Sequence, residues 1–374
     1  MSVSLSANGR PMMVGRQILR DRIFLAARSE LPSRLAQTLR RHGPRTGLVL
    51  VGAKALSRLT ELCANDVPIA YDPSRYGAVM ASYDQPMVLD NGDGQASLFA
   101  APTLTDYVNT ADERLAAVVS PTGQVGAEDS AALHAVISAC NAVASPRLVC
   151  TLPVASQWLL PDSVDDLISA VEESSHPVAL VIVGEFDPFE DVEVLSGLAS
   201  LIGAVGESVF LHCTDLMVVS AVAWGTLGGS VGVSSTLRHT MAIGQSTRRR
   251  KKPDRPGLPV FVPGINSFRD VDTLDGWFGD VAPHCTVVGC TDHVLNDFST
   301  HDRTAAMGHN AAAVLDVAGA LLSVGPFDRR AWIRDYWERV ATEYALLKVR
   351  TGRRDIRPYG GDHHLVNGFS HTQV

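Results

Sequence analysis

Residues 210–239 read FLHCTDLMVVSAVAWGTLGGSVGVSSTLRH, and this stretch decides the fold. Phe210 to Cys213 is a short apolar run bounded by polar residues, which suits a strand. Leu216 to Trp224 carries apolar residues at helical spacing. Gly225, Gly228 and Gly229 break that helix, and Val231 and Val233 resume a strand. Two strands joined by a helix in so few residues must run parallel, because the helix carries the chain back to its starting edge. The polar clusters His212-Cys213-Thr214-Asp215 and Ser234-Ser235-Thr236 then fall at the C-terminal ends of their strands. Parallel α/β folds place their chemistry on that edge.

Working outward, the same unit repeats. Strands are expected at Gly47–Val51, Val67–Tyr71, Leu115–Val119, Arg147–Leu152 and Val178–Val183, before those starting at Phe210 and Ser230. Val178–Val183 is almost wholly β-branched or apolar, as in strands buried on both faces. A helix or long connection follows each strand, at roughly thirty-residue spacing. An eighth strand is expected near Arg22–Ala26 or Leu258–Val262. The number of units favours a closed (β/α)8 barrel, a TIM-like barrel, over an open doubly wound sheet. Residues 81–105 hold NGDG and little periodicity, and read as an inserted loop or hairpin. Beyond His239 come a basic loop, an Ala-rich helix over His301–Val324 and a second helix over Asp328–Arg350. The Trp332, Tyr336 and Trp337 side chains on that last helix belong to a core or to a partner interface.

Composition narrows the classes. Of 374 residues, 46% are apolar and 19% charged, a core-forming balance that excludes global disorder. The net charge of −8 leaves any nucleic-acid contact to a local basic patch. Six cysteines, unevenly spread, do not form a secreted disulfide framework and favour a reducing, cytoplasmic setting. No apolar run reaches the ~20 residues of a membrane helix, and the N-terminus lacks a signal-type apolar core, so no membrane role is expected.

Several residues are candidates for chemistry. Asp72, in YDPSRYG, directly follows a strand and is flanked by Arg75 and Tyr76; it is a barrel-mouth carboxylate or an Asx-type turn before proline. Glu185 and Asp187, in GEFDP, occupy another mouth position, where Asp187-Pro188 equally suits a helix cap. Asp215 is a mouth carboxylate or an N-cap. Two carboxylates from different strands are what glycosyl transfer requires, one as nucleophile or base and one as acid. Asp72, Asp187 and Asp215 are therefore the catalytic candidates. Arg75, Tyr76, Glu185, His212, Ser230, Ser234, Ser235, Arg238 and His239 are the substrate-contact candidates. Cys285, Cys290 and His309, with His293 as a fourth ligand, offer soft donors suited to tetrahedral zinc, or else are cysteines packed as small hydrophobes. Arg248, Arg249, Arg250, Lys251 and Lys252 form a basic block suited to phosphates, or a solvated loop. No GxxxxGK[ST], GxGxxG or GxSxG motif occurs, so no nucleotide cofactor is expected.

In these residues the chain resembles the tRNA-guanine transglycosylase superfamily, including its relatives that insert 7-deazaguanine bases into DNA. The resemblance spans roughly Val67–Leu322 and is specific in its C-terminal half. Ala223-Trp224-Gly225, followed by Ser230–Val233 and then Ser234–His239, is similar to the family's helix end, catalytic strand and Arg-His turn. Cys285, Cys290 and the pair His309-Asn310 match parts of its zinc motif, and Asp72 resembles its base-contacting Asp. Two departures stand out. Val287 falls where the middle zinc cysteine belongs, so His284, His293 or His301 would have to substitute. Ser230 falls at or beside the nucleophilic Asp, and no carboxylate occurs from Gly225 to His239.

The resemblance implies a (β/α)8 barrel with a structural zinc, acting on a base or N-glycosidic bond of tRNA or DNA. The alternative is an inactive barrel homologue serving as a nucleic-acid-binding or assembly subunit, with a protein partner or homodimer. A small-molecule aldolase is disfavoured, since Lys54 is the only lysine before Lys251. The expected organisation is a flexible arm (1–12), the barrel (13–243), a basic loop and zinc-type subdomain (244–300), C-terminal helices packing on the barrel (301–350) and a polar tail, mobile at least in part (351–374).

Overall fold

A computed structural model describes residues 14–29, 35–63, 67–89, 102–184, 187–245, 259–279, 282–287, 290, 293–298 and 303–369. The expected arm, Glu185, the basic block Arg248–Lys252 and His301 lie outside the described residues.

Eight parallel strands close into a barrel: β1 (Ile23–Ala27), β2 (Thr46–Val51), β3 (Ile69–Asp72), β4 (Ala117–Val119), β5 (Leu148–Ala155), β6 (Val178–Gly184), β7 (Val209–Thr214) and β8 (Gly228–Gly232). Each pairs with its chain neighbour, and β1 pairs with β8 to complete the ring, Leu25 opposite Val231. The (β/α)8 expectation is met. The eighth strand is the first in the chain, at Ile23–Ala27. The other candidate yields only Val260–Val262, which forms a separate antiparallel hairpin with Ser267–Arg269.

Side chains alternate across each strand, so residues two apart share a face. Ile23, Leu25 and Ala27 belong to the large cluster between strands and outer helices, whereas Phe24 and Ala26 point into the barrel. Gly47 is on the same inner face: a Cβ there would stand 2.5 Å or less from the Phe24 ring. Phe24 meets Phe210 edge to face at 5.6 Å, which fills the lower interior. Above it, the alternation that places Phe210 inside also places His212 inside, with Asp72 from β3 and Ser230 from β8.

The helix Arg303–Ser323 is long and apolar enough to cross a membrane by length and composition, but 67% of it is buried here. It packs against the helix Leu35–Arg41, the Val260–Val262 strand and the helix Met217–Trp224. The helix Arg329–Thr351 also lies on Met217–Trp224, and its Trp337 Nε1 donates to Ser220 Oγ at 3.0 Å. That aromatic set is therefore core in part: Trp337 and Tyr344 are buried, and Trp332 stacks on Tyr336 at 5.1 Å.

The tail departs from expectation. Through Phe369 it is described as folded chain, with a helix at Gly360–Val366 packed against the turn Pro188–Glu190 at the barrel mouth. Arg269 fastens it. Its Nη2 donates to Tyr344 Oη and to the Arg357 carbonyl, both at 2.8 Å, and its guanidinium covers the Tyr359 ring at 3.6 Å. Of the tail, residues 370–374 lie outside the described residues.

Candidate active site and metal centre

Asp72 is the last residue of β3 and faces the barrel interior, fully buried. Its Oδ1 accepts from Ser74 N at 2.6 Å, the Asx turn that the sequence suggested. Its Oδ2 accepts from Tyr76 Oη at 2.7 Å and faces His212 Nε2 at 3.0 Å. His212 Nδ1 lies 2.7 Å from Ser230 Oγ, which also accepts from Cys213 N at 3.0 Å. Burial opposes charge on His212, but the neighbouring Cys213 thiol and the Asp72 carboxylate outweigh it and raise the pKa to about 10. Burial, then Asp72, push the Tyr76 phenol well above its ordinary value. Ser230 thus anchors a histidine inside the barrel.

Cys213 was not among the sequence candidates. Strict alternation would turn its side chain outward. The register between β7 and β8 slips between Leu211 and Thr214, and Cys213 adopts φ 51°. That left-handed conformation is uncommon for a residue with a Cβ. It brings Sγ to 3.4 Å from His212 Nε2 and 3.8 Å from Tyr76 Oη. Cys213 and Tyr76 line a cavity of about 260 Å³, with Ser74, Ser235 and His239.

A second cavity, of about 90 Å³, shares Ser235 and His239 with the first and is lined by Asp187, Asp215, Arg238 and Asp362. Asp187 and Asp215 follow β6 and β7. Each does both things the sequence left open: it caps the turn or helix after its strand and faces the cavity. Asp187 Oδ1 accepts from Phe189 N at 3.0 Å, and Asp215 Oδ1 from Met217 N at 2.9 Å. The second oxygen of Asp187 accepts from Gly361 N at 3.0 Å, and that of Asp215 lies 4.0 Å from His239 Nε2. The turn carrying Ser235, Arg238 and His239 folds directly onto β8. A Cβ on Gly232 would lie 2.3 Å from the Leu237 backbone, so only glycine permits that approach.

Arg238 is buried, donates to the Gly232 carbonyl at 3.2 Å and covers the Phe268 ring at 3.7 Å. Burial lowers its pKa to about 10. Ser234 pairs with Thr236 within the turn, and neither cavity is lined by it or by Arg75. Asp362 was missed because the sequence read its segment as a polar tail; Gly360-Gly361 before it, which let the backbone reach the Asp187 carboxylate, was the available signal.

Burial, then the facing Asp215, raise the Asp187 pKa to about 7, with Glu190 adding and the two backbone N–H groups opposing. Asp362 is raised well above the carboxylate range by burial, then by Asp215 and Asp187. A carboxyl that binds its proton more tightly when folded contributes stability fully below its unfolded pKa and loses it as pH rises through the folded value. Stability is therefore expected to fall between about pH 4 and pH 8, with Asp187 contributing on the order of 4 kcal/mol. Asp187→Asn should flatten this slope in denaturant melts across that range. An unchanged slope in the variant would remove Asp187 as its source.

The metal candidates meet at the helix Arg303–Ser323, which carries His309. Cys285 Sγ and Cys290 Sγ lie 3.0 Å and 3.3 Å from His309 Nδ1. His309 Nε2 bonds the Phe261 carbonyl at 2.7 Å, which fixes the ring and leaves Nδ1 for a ligand. The facing Cys290, then His309, pull the Cys285 thiol well below its ordinary pKa. The three donor atoms lie within 4.8 Å of one another. His293 is not in that group: its ring packs on Phe298 at 4.9 Å, and only its carbonyl reaches Cys285 N. Val287 is buried apolar packing. The donor set fits a soft divalent ion with three protein ligands among the described residues.

These features define a (β/α)8-barrel protein whose strand C-termini hold a carboxylate-lined groove and in which two cysteines of the segment after the barrel meet His309 of the helix Arg303–Ser323. No family model matches the chain, and no curated protein is significantly similar to it in sequence.

Proposed function

We propose that the protein acts on an N-glycosidic bond of tRNA or DNA, exchanging a base in the manner of tRNA-guanine transglycosylases and their 7-deazaguanine relatives. The observation that carries this reading is the pairing of Asp187 and Asp215, from successive barrel strands, in one cavity. Their surroundings suit different tasks. Asp187, with its pKa near 7, is protonated often enough to serve as general acid to the departing base. Asp215, facing His239, serves as the nucleophile or stabiliser of the sugar carbon. The adjoining cavity receives the base against Tyr76, which Asp72 holds in place. Asp72, a catalytic candidate from the sequence, has a positioning role in this reading. The basic block Arg248–Lys252 is proposed to hold phosphates.

Zinc at Cys285, Cys290 and His309 would tie the segment between β8 and the long helices to Arg303–Ser323, a structural role. Chelation is expected to lower Tm by about 5 °C or more in the zinc-loaded protein and by clearly less in Cys285→Ser, which lacks this site. Equal responses of the two in scanning fluorimetry would sink that assignment.

The direct test supplies labelled guanine or a 7-deazaguanine with tRNA and, separately, duplex DNA. Incorporation into one polymer supports base exchange and names the substrate. A second reading is favoured by Ser230, which stands where the family has its nucleophile and is committed to His212. On that reading the barrel is a nucleic-acid-binding or assembly subunit. It predicts no incorporation, and binding that weakens steeply with salt.

A further inference from the structure

We propose that Asp72, His212 and Cys213 bind a divalent first-row transition cation, zinc(II) by donor type, at the inner rim of the barrel. The site is separate from the Cys285, Cys290 and His309 cluster and from the carboxylate pair, and does not depend on the base-exchange reading.

The argument begins with hydrogens. His212 Nε2 bears at most one, and faces Asp72 Oδ2 at 3.0 Å and Cys213 Sγ at 3.4 Å. Tyr76 Oη bears one, and faces the same two atoms at 2.7 Å and 3.8 Å. With the Cys213 thiol hydrogen at most three hydrogens serve these four contacts, too few to join every pair. Tetrahedral zinc has bonds of about 2.0–2.3 Å, which sets its ligand atoms about 3.3–3.8 Å apart. The separations found are within a few tenths of an ångström of that spacing on most edges, and the Asp72, His212 and Cys213 donor atoms all lie within 4.8 Å of one another.

Charge agrees with geometry. A carboxylate and a thiolate neutralise a divalent ion, which a buried site requires. The supporting contacts are in place: Ser230 Oγ at His212 Nδ1 leaves Nε2 for the ion, and Ser74 N holds the other oxygen of Asp72. The left-handed turn at Cys213 aims the thiol inward. The fourth position points toward Tyr76 and the cavity that Tyr76 and Cys213 line, as in sites where a metal keeps one position for a ligand.

The test is a cobalt(II) titration of chelator-stripped full-length protein, read by absorption. Two equivalents are expected. The Cys285→Ser/Cys290→Ser variant should retain one, with the charge-transfer intensity of a single thiolate, and adding Cys213→Ser should remove it. Zinc X-ray absorption of the double variant should show one sulfur among nitrogen and oxygen ligands, a reading that needs no change at Cys213. A folded double variant that binds no cobalt, or a bound zinc with no sulfur neighbour, would overturn the proposal.

Discussion

Asp215→Ala is expected to abolish base exchange, lowering the rate of incorporation by about a thousandfold or more with the fold unchanged. Asp215 belongs to the helix-capping turn after β7 and is part-exposed, so its removal deletes one cap and one cavity carboxylate. The cap is worth about 1 kcal/mol, too little to unfold a barrel of this size. Asp187→Ala is expected to cost less, about a hundredfold, because a general acid is replaceable in part by water. In the wild type the rate should fall as Asp187 loses its proton above about pH 7, and Asp187→Asn should lack that alkaline limb. The nearby Glu190 and Asp362 carboxyls repel charge on Asp187, and that coupling broadens the limb. Single-turnover assays with labelled base separate these outcomes. Full activity in Asp215→Ala would show that this carboxylate is not in the mechanism.

Asp72→Ala is expected to act on the fold itself, at a cost of about 3–5 kcal/mol. Its carboxylate is fully buried and receives Ser74 N, Tyr76 Oη and the charged edge of His212. Alanine leaves all three without their acceptor in a dry interior, the situation in which breaking a buried pair is most destabilising. Asp72→Asn should cost less, since an amide oxygen still accepts from Tyr76 or Ser74. Urea melts read both. A loss below about 1 kcal/mol in Asp72→Ala would mean that His212 discharges or repacks without strain.

The chain alone places Asp72 just after a strand, as a mouth carboxylate or an Asx turn, and does not show it as a buried part of the core. The reason lies in one residue of register. β3 extends through Asp72, two positions beyond Ala70 on the inner face, so the carboxylate belongs to the interior layer. Strand count and direction were legible because β-branched runs such as Val178–Val183 recur with helices between them. His212 was legible as a site residue, but its bond to Ser230 was not, since that depends on how β7 and β8 align. Cys213 escaped because a slipped register defeats simple alternation. Asp362 escaped because a polar segment gives no pattern until its partners, Arg269 and Asp187, are placed in space. For Asp187 and Asp215 the sequence offered cap or mouth residue as alternatives; the two oxygens of each carboxylate face different partners, so the alternatives are compatible.

The helix Gly360–Val366 has a consequence for biogenesis. Translation delivers β8, ending at Gly232, long before Asp362 leaves the ribosome. A nascent chain can therefore zip β1 to β8 while one wall of the groove is still unmade. A polypeptide released early, after the barrel but before Arg353, would keep its strands and lose the backbone donor to Asp187 together with the third carboxylate. The groove is finished by a segment synthesised well after the barrel, so its completion follows barrel closure.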